Sequence, residues 1–169
     1  ASVECSQQEY FPFGQRLVPF EEVYFGSKEV LGKRGAKITL TFHLDFVPIP
    51  LETNLEDDPI EWKWIMKQSD FRSNPDFDIS IEEVIWEYFN GSGWSRLFAG
   101  REYGDVFGIR NGMLSQQKTI SFSCPMDMKP ILVNSQETCY IRARILKINN
   151  MFKTKGQYIV PVLGNTAFS

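Results

Sequence analysis

The most regular hydrophobic pattern in the chain runs from Ala36 to Phe46, AKITLTFHLDF. Ile38, Leu40, Phe42, Leu44 and Phe46 fall on one side; Lys37, Thr39, Thr41, His43 and Asp45 fall on the other. A two-residue period predicts a strand with one face in a core and one in water. The same period recurs in Glu61–Lys67, with Trp62, Trp64 and Met66 on one face. It recurs in Gln117–Cys124, where Lys118, Ile120, Phe122 and Cys124 alternate with Thr119, Ser121 and Ser123. Thr138–Ile148 repeats it with Cys139, Ile141, Ala143 and Ile145 inward and Tyr140, Arg142, Arg144 and Lys147 mostly toward solvent. Glu22–Gly26 is a short strand, and Gln157–Leu163 is the last, with Pro161 arguing for an edge or a bulge.

Between these lies Ile81–Phe98, IEEVIWEYFNGSGWSRLF. Val84–Phe89 is β-branched and aromatic, which suits a pleated, half-buried surface. Asn90-Gly91-Ser92-Gly93 supplies residues that tolerate positive φ, as a tight hairpin demands, and Trp94–Phe98 returns. A lone hairpin is marginal in water, so this one belongs to a larger sheet. Val47–Pro59, with Pro48, Pro50 and Pro59, reads as a loop, as do Ser69–Ile79 and Gly100–Gly112, the last crossing an end of the fold. Met126–Glu137 reads as a connection carrying its own apolar piece, Ile131-Leu132-Val133. At least seven strands and no convincing helix predict an all-β protein: an antiparallel β-sandwich of immunoglobulin or jelly-roll type with long loops. Residues 1–20 read as a leading linker, 21–166 as one sandwich domain and 167–169 as a trailing linker.

Composition narrows the function classes. A chain of 169 residues can bury about two-thirds of its unfolded surface, so neither disulfide nor metal is required for folding. Net charge is −3 with acids and bases interspersed, which does not make a polyanion-binding surface, so nucleic acid is not an expected partner. No apolar run reaches the ~20 residues of a membrane helix, so no membrane insertion is expected. The N-terminal stretch lacks the basic segment and apolar run of a signal peptide. Cys124 and Cys139 fall in strand-like phase and read as small buried hydrophobes, although a bridge between them is conceivable.

Catalytic chemistry finds little support. Glu87, flanked by Trp86 and Tyr88, could pair with Glu83 or with an acid of Glu56–Asp58 as a glycosidase pair, but that requires a fixed separation across a sugar. His43 is the only histidine, so a Ser-His-Asp triad must use it, and no Gly-x-Ser-x-Gly elbow accompanies it. With no second His and no paired Cys, a zinc site lacks its usual ligands. Glu56–Asp58 and Asp76–Asp78 are acidic without matching an EF-hand loop. Neither catalytic nor metal residues are therefore expected, and no cofactor. Carbohydrate binding is the competing idea, since Trp62, Trp64, Trp86, Tyr88 and Trp94 could stack sugar rings if solvent-facing.

Four landmarks occur in order: VYFGSKEVLGKRGAKITLTFHL at 23–44, VIWEYFNGSGWSRL at 84–97, KTISFSCPMDM at 118–128, and CYIRARILK at 139–147 followed by GQYIVPVLGNT at 156–166. This series resembles the β-rich domain of baseplate assembly proteins of the baseplate J-like family, found in phage tails and phage-derived contractile injection systems. The most specific piece is Trp-Glu-Tyr-x-Asn-Gly-x-x-Trp-x-x-Leu at 86–97; Tyr140 stands where that family often carries Trp. The resemblance implies a structural, non-enzymatic module whose partners are other baseplate or tail proteins, with glycans as further candidates. It also implies residence in the bacterial cytoplasm during assembly and then in a virion or injection particle. Within the motif, Trp86 and Trp94 are expected to face each other across the hairpin as core anchors, so that Trp94→Ala would cost ~3–5 kcal/mol. Arg142 and Arg144, two apart on one strand, are expected to share a face and to pair with Glu87 or with a neighbouring protein.

Overall fold

A computed structural model describes residues 3–6, 9–51, 78–109 and 114–169. Its elements are β1 (Val3–Ser6), β2 (Glu22–Gly26), the single helical turn α1 (Lys28–Leu31), β3 (Lys37–Pro50), β4 (Asp78–Phe89), β5 (Trp94–Arg96), β6 (Ser115–Ser123), β7 (Ile131–Val133), β8 (Gln136–Thr138), β9 (Tyr140–Asn149) and β10 (Gln157–Phe168). The predicted strand Glu61–Lys67 lies outside the described residues.

The strands pair in the order β2–β9–β4–β10–β3–β6, with β5 on β4 and β1 on β10, and β7 and β8 form a separate hairpin. Among the described residues every pairing is antiparallel except one: Gln157–Ile159 of β10 run parallel to Asp78–Ser80 of β4. The expected all-antiparallel sandwich is thus an all-β fold with a mixed sheet. The parallel junction joins two layers, β5–β4–β9–β2 and β6–β3–β10–β1. The layers face each other: Phe25 of β2 stacks on Phe42 of β3 with centroids 5.9 Å apart, and Phe42 lies 6.4 Å from Trp86 of β4.

The alternation in Ala36–Phe46 holds, since Ile38, Leu40, Phe42, Leu44 and Phe46 are all buried. The strand does not stop there, however. It continues through Pro48 to Pro50, residues expected to form a loop. The neighbours explain this: β6 pairs only with Lys37–Asp45, whereas β10 accompanies β3 to Pro50. Among the described residues the prolines therefore lie where the strand has one partner and can spare an N–H. Pro161 follows the same rule, falling between the stretches of β10 paired to β4 and to β1, and a register shift follows between Leu163 and Thr166.

Three further expectations change. Asp78 and Ile79 open β4 rather than closing a loop. In β4 the ladder to β9 is irregular around Glu83, so Ile81 and Val84, three apart, are both buried. Residues 1–20 and 167–169 are not mere linkers in the structure. Val3–Ser6 pairs with β10, Phe13 and Leu17 are buried, Phe168 is fully buried, and Ser169 exchanges both backbone hydrogen bonds with Thr39. The described part of the 100–112 segment, residues 100–109, does more than cross an end. It inserts Phe107 between Phe42 (5.5 Å) and Trp86 (5.9 Å), with Phe13 edge-on at 5.0 Å. The segment is stitched to β4 by Val84 N–H on the Gly104 carbonyl (2.7 Å) and Trp86 Nε1–H on the Tyr103 carbonyl (3.0 Å). Gly104 permits this approach, since a Cβ there would sit 3.1 and 3.2 Å from the Arg101 and Val84 carbonyl oxygens.

Candidate functional site: a cross-strand ion network

Because Ile141, Ala143 and Ile145 of β9 fill the core, Arg142 and Arg144 must point to the outer face of the layer. Register then chooses their neighbours. Tyr24 of β2 and Glu87 of β4 flank Arg142, Glu22 stands opposite Arg144, and Arg96 of β5 stands opposite Glu87. Arg142 Nε donates to Glu87 Oε1 at 3.0 Å and Arg142 Nη1 to Glu22 Oε2 at 2.7 Å. Arg144 Nη2 donates to Glu87 Oε2 at 3.5 Å, while Arg144 Nε lies 3.3 Å from Oε1 without the alignment of a hydrogen bond. Tyr24 Oη donates to the same Glu22 oxygen that receives Arg142.

An aromatic lid shields the centre of this network, while Glu22 and Arg144 at its margin stay partly exposed. The guanidinium carbon of Arg142 lies 4.0 Å from the centroid of the Trp94 ring, and Tyr24 meets that ring edge-on at 5.7 Å. Glu87 is only 6% and Arg142 9% exposed, although both sit on the face expected to be solvated. A charge removed from water to this degree persists only with its partners in place, and a planar guanidinium over an indole gains a further cation–π term. The expected pairing of Arg142 and Arg144 with Glu87 is present. Glu22 and Tyr24 were not anticipated. The alternation of Glu22-Val23-Tyr24-Phe25 places them on a polar face, but their partner Arg142 is distant in sequence.

The tryptophans separate. Trp86 is core, 2% exposed, while Trp94 is half-buried on the opposite face. They do not face each other across the hairpin, because the Asn90–Gly93 loop sets Phe89 opposite Trp94 and Glu87 opposite Arg96. Trp94 therefore shares a face with Glu87, and Trp86 meets Leu97 through a backbone bond instead. The loop is fixed by Asn90, whose Oδ1 accepts from Ser92 and Gly93 N–H, both at 2.9 Å, and whose Nδ2 donates to Ser95 Oγ at 2.9 Å. Gly91, at φ +95°, takes the conformation other residues resist. Tyr88 points inward at the margin of the core, and its hydroxyl donates to Asp127 Oδ1 at 2.8 Å. That hydrogen bond, reinforced by partial burial, raises its pKa. Trp62 and Trp64 lie outside the described residues. Trp94→Ala should accordingly cost about 1–2 kcal/mol, the loss of a half-buried ring and one cation–π contact, rather than the value for a core anchor. Urea titration of the variant measures it.

Tyr24 adds a pH signature. Burial first, then its bond to Glu22, pushes its phenol above the usual 10. The folded state thus holds this proton more tightly than the unfolded chain. Its contribution is complete below pH 10 and fades as pH rises through the higher folded value. Tyr24→Phe should therefore flatten the loss of stability above pH 10, as read from melting temperatures across that range.

Beside Tyr24 an open cavity of about 490 Å³ lies between the end of β2 and the β7–β8 hairpin, lined by Tyr10, Tyr24, Lys28, Asn134, Glu137 and Tyr140 among others. The hairpin turns on Asn134 and Ser135 at φ 49° and 66°, the primed geometry that two-residue loops favour. It covers Tyr140, whose hydroxyl donates to the Gln136 carbonyl at 3.1 Å, so Tyr140 is buried although expected toward solvent.

Two other sequence candidates resolve simply. Cys124 and Cys139 are free thiols, each with its pKa raised by burial, and Cys124 Sγ donates to the Leu31 carbonyl at 3.3 Å. His43 does meet a serine and an aspartate. Ser115 Oγ is 2.9 Å and Asp45 Oδ1 3.4 Å from the same ring nitrogen, Nε2, whereas a catalytic triad places them on opposite nitrogens. Among the described residues no helix is long and apolar enough to cross a membrane.

The fold and this site define an all-β sandwich with a buried cross-strand ion network under an aromatic lid. No family model matches the chain, and no curated protein or solved structure matches it either.

Proposed function

We propose that this chain is a non-catalytic structural and interaction module of a phage-tail-like baseplate assembly protein, mediating protein–protein assembly or adhesion with neighbouring baseplate and tail proteins. One observation carries the reading. The most specific landmark of the resemblance, WEYFNGSGWSRL, and a second landmark, CYIRARILK, lie far apart in sequence but form adjacent strands. Their non-core residues engage one another: Glu87 with Arg142 and Arg144, and Trp94 with Arg142. The motif residues are thereby committed to holding a sheet together, as a structural module requires.

Carbohydrate binding is the weaker alternative. It calls for a row of tryptophans open to solvent, whereas Trp86 is buried and one face of Trp94 carries Arg142. The assembly reading predicts residence first in the bacterial cytoplasm and then in the finished particle. The test follows the chain by antibody through sedimentation of tail-like particles induced from its source cells. Co-migration with the particle is the expected result; abundant protein that never enters the particle fraction overturns the proposal. Iodide quenching of tryptophan fluorescence, with and without polysaccharides, tests the alternative, which requires saccharide to protect the quenchable ring.

A further inference from the structure

The outer face of β3 and β6 carries an arrangement that the ion network does not use. Register places Asp45 opposite Ser115 and His43 opposite Gln117. His43 and Asp45, two apart on one strand, project to the same side, and their side chains are 42% and 36% exposed. On the β10 flank Gly164 leaves room beside the imidazole: a Cβ there would be in van der Waals contact, 3.7 Å from His43 Cβ and 3.8 Å from Cδ2. Ser115 Oγ meets the ring's Nε2.

We infer that His43 and Asp45, with Ser115, form a surface site for a divalent transition metal of the Zn²⁺ or Ni²⁺ type. The spacing of the donors supports this. Nitrogen and oxygen ligands bound at about 2.0–2.2 Å, at angles between octahedral and tetrahedral, stand about 2.8–3.6 Å apart. His43 Nε2 to Asp45 Oδ1 is 3.4 Å and His43 Nε2 to Ser115 Oγ is 2.9 Å, so both edges fall in that interval. The two oxygens that prevent a catalytic triad, both beside Nε2, thus suit a cation shared with that nitrogen. One imidazole among oxygen donors favours borderline metals over Mg²⁺ or Ca²⁺. Asp45 supplies a compensating negative charge, and water completes the coordination. With two strong ligands instead of three or four, the site binds weakly and exchanges readily. It stands independently of the proposed function.

The experiment uses the whole chain. Zn²⁺ is titrated by calorimetry into wild type, H43Q, D45N and S115A, with circular dichroism confirming that each variant folds. Cu²⁺ spectra by electron paramagnetic resonance supply a signature of the ligand. Because His43 is the only histidine, imidazole-nitrogen coupling in those spectra identifies it. The expected result is one-to-one binding, weakened about tenfold or more in H43Q and D45N and less in S115A, with coupling from a single imidazole that disappears in H43Q. Unchanged binding in H43Q and D45N would place the metal elsewhere, on cysteines or chain ends, and overturn the inference. So would the absence of saturable binding up to about 1 mM metal.

Discussion

Glu87→Ala is expected to destabilise the protein by about 3–5 kcal/mol, the range found when one member of a buried ion pair is removed. The cost does not lie mainly in the lost attraction. Arg142 is 9% exposed and Trp94 lies against its guanidinium, so water cannot readily replace the carboxylate. Glu22 would still hold Nη1, but Nε and the nearby Arg144 would face each other without the anion between them. Glu87→Gln should cost less, because the amide oxygen can still accept from Nε. Replacing Glu87 with Leu and Arg142 with Met together should recover much of the loss, since an apolar pair of similar volume leaves no buried charge in that pair. Equilibrium urea unfolding of the three variants distinguishes these outcomes. Near-wild-type stability of Glu87→Ala would mean that solvent reaches the network and that the lid is open.

Trp86→Ala should cost a comparable 3–5 kcal/mol, for a different reason. The ring is 2% exposed and touches Phe25, Phe42 and Phe107 at centroid distances of 5.8, 6.4 and 5.9 Å. Truncation removes buried area, leaves a cavity whose aromatic walls cannot collapse fully, and strands the Tyr103 carbonyl that the indole N–H satisfies. For a chain of this size the loss corresponds to a fall in melting temperature of roughly 6–20 °C. Trp86→Phe should recover part of the packing but not the hydrogen bond. Because Phe107 shares the contact, Trp86→Ala and Phe107→Ala should be non-additive. A double-mutant cycle by thermal denaturation measures that coupling, and strict additivity would contradict the shared stack.

The contrast between the two tryptophans of one motif indicates how far the sequence reaches. Both are aromatic, both sit in strands of good β-propensity, and nothing local separates them. Their fates depend on the length of the loop between them, which sets Trp94 opposite Phe89 and so onto the outer face. The same limit hid Glu22 and Tyr24, which are ordinary members of a short alternating strand until β9 arrives beside them. The prolines of β3 misled for a related reason. A proline excludes a strand only where both edges must hydrogen-bond, and the number of neighbours at Pro48 and Pro50 is a property of the sheet.

What the chain by itself determined is periodic and short in range. The alternation of Ile38–Phe46 and of Ile141–Ile145 assigned strand and inward face correctly, and Asn90-Gly91 marked the turn, because each depends only on local geometry and the cost of exposing apolar side chains. Tertiary structure alone decided which polar residues meet. Glu87 finds Arg142, and His43 finds Ser115, through registers spanning tens of residues. A strand slipping by a single position would send its own members of these pairs to the other face.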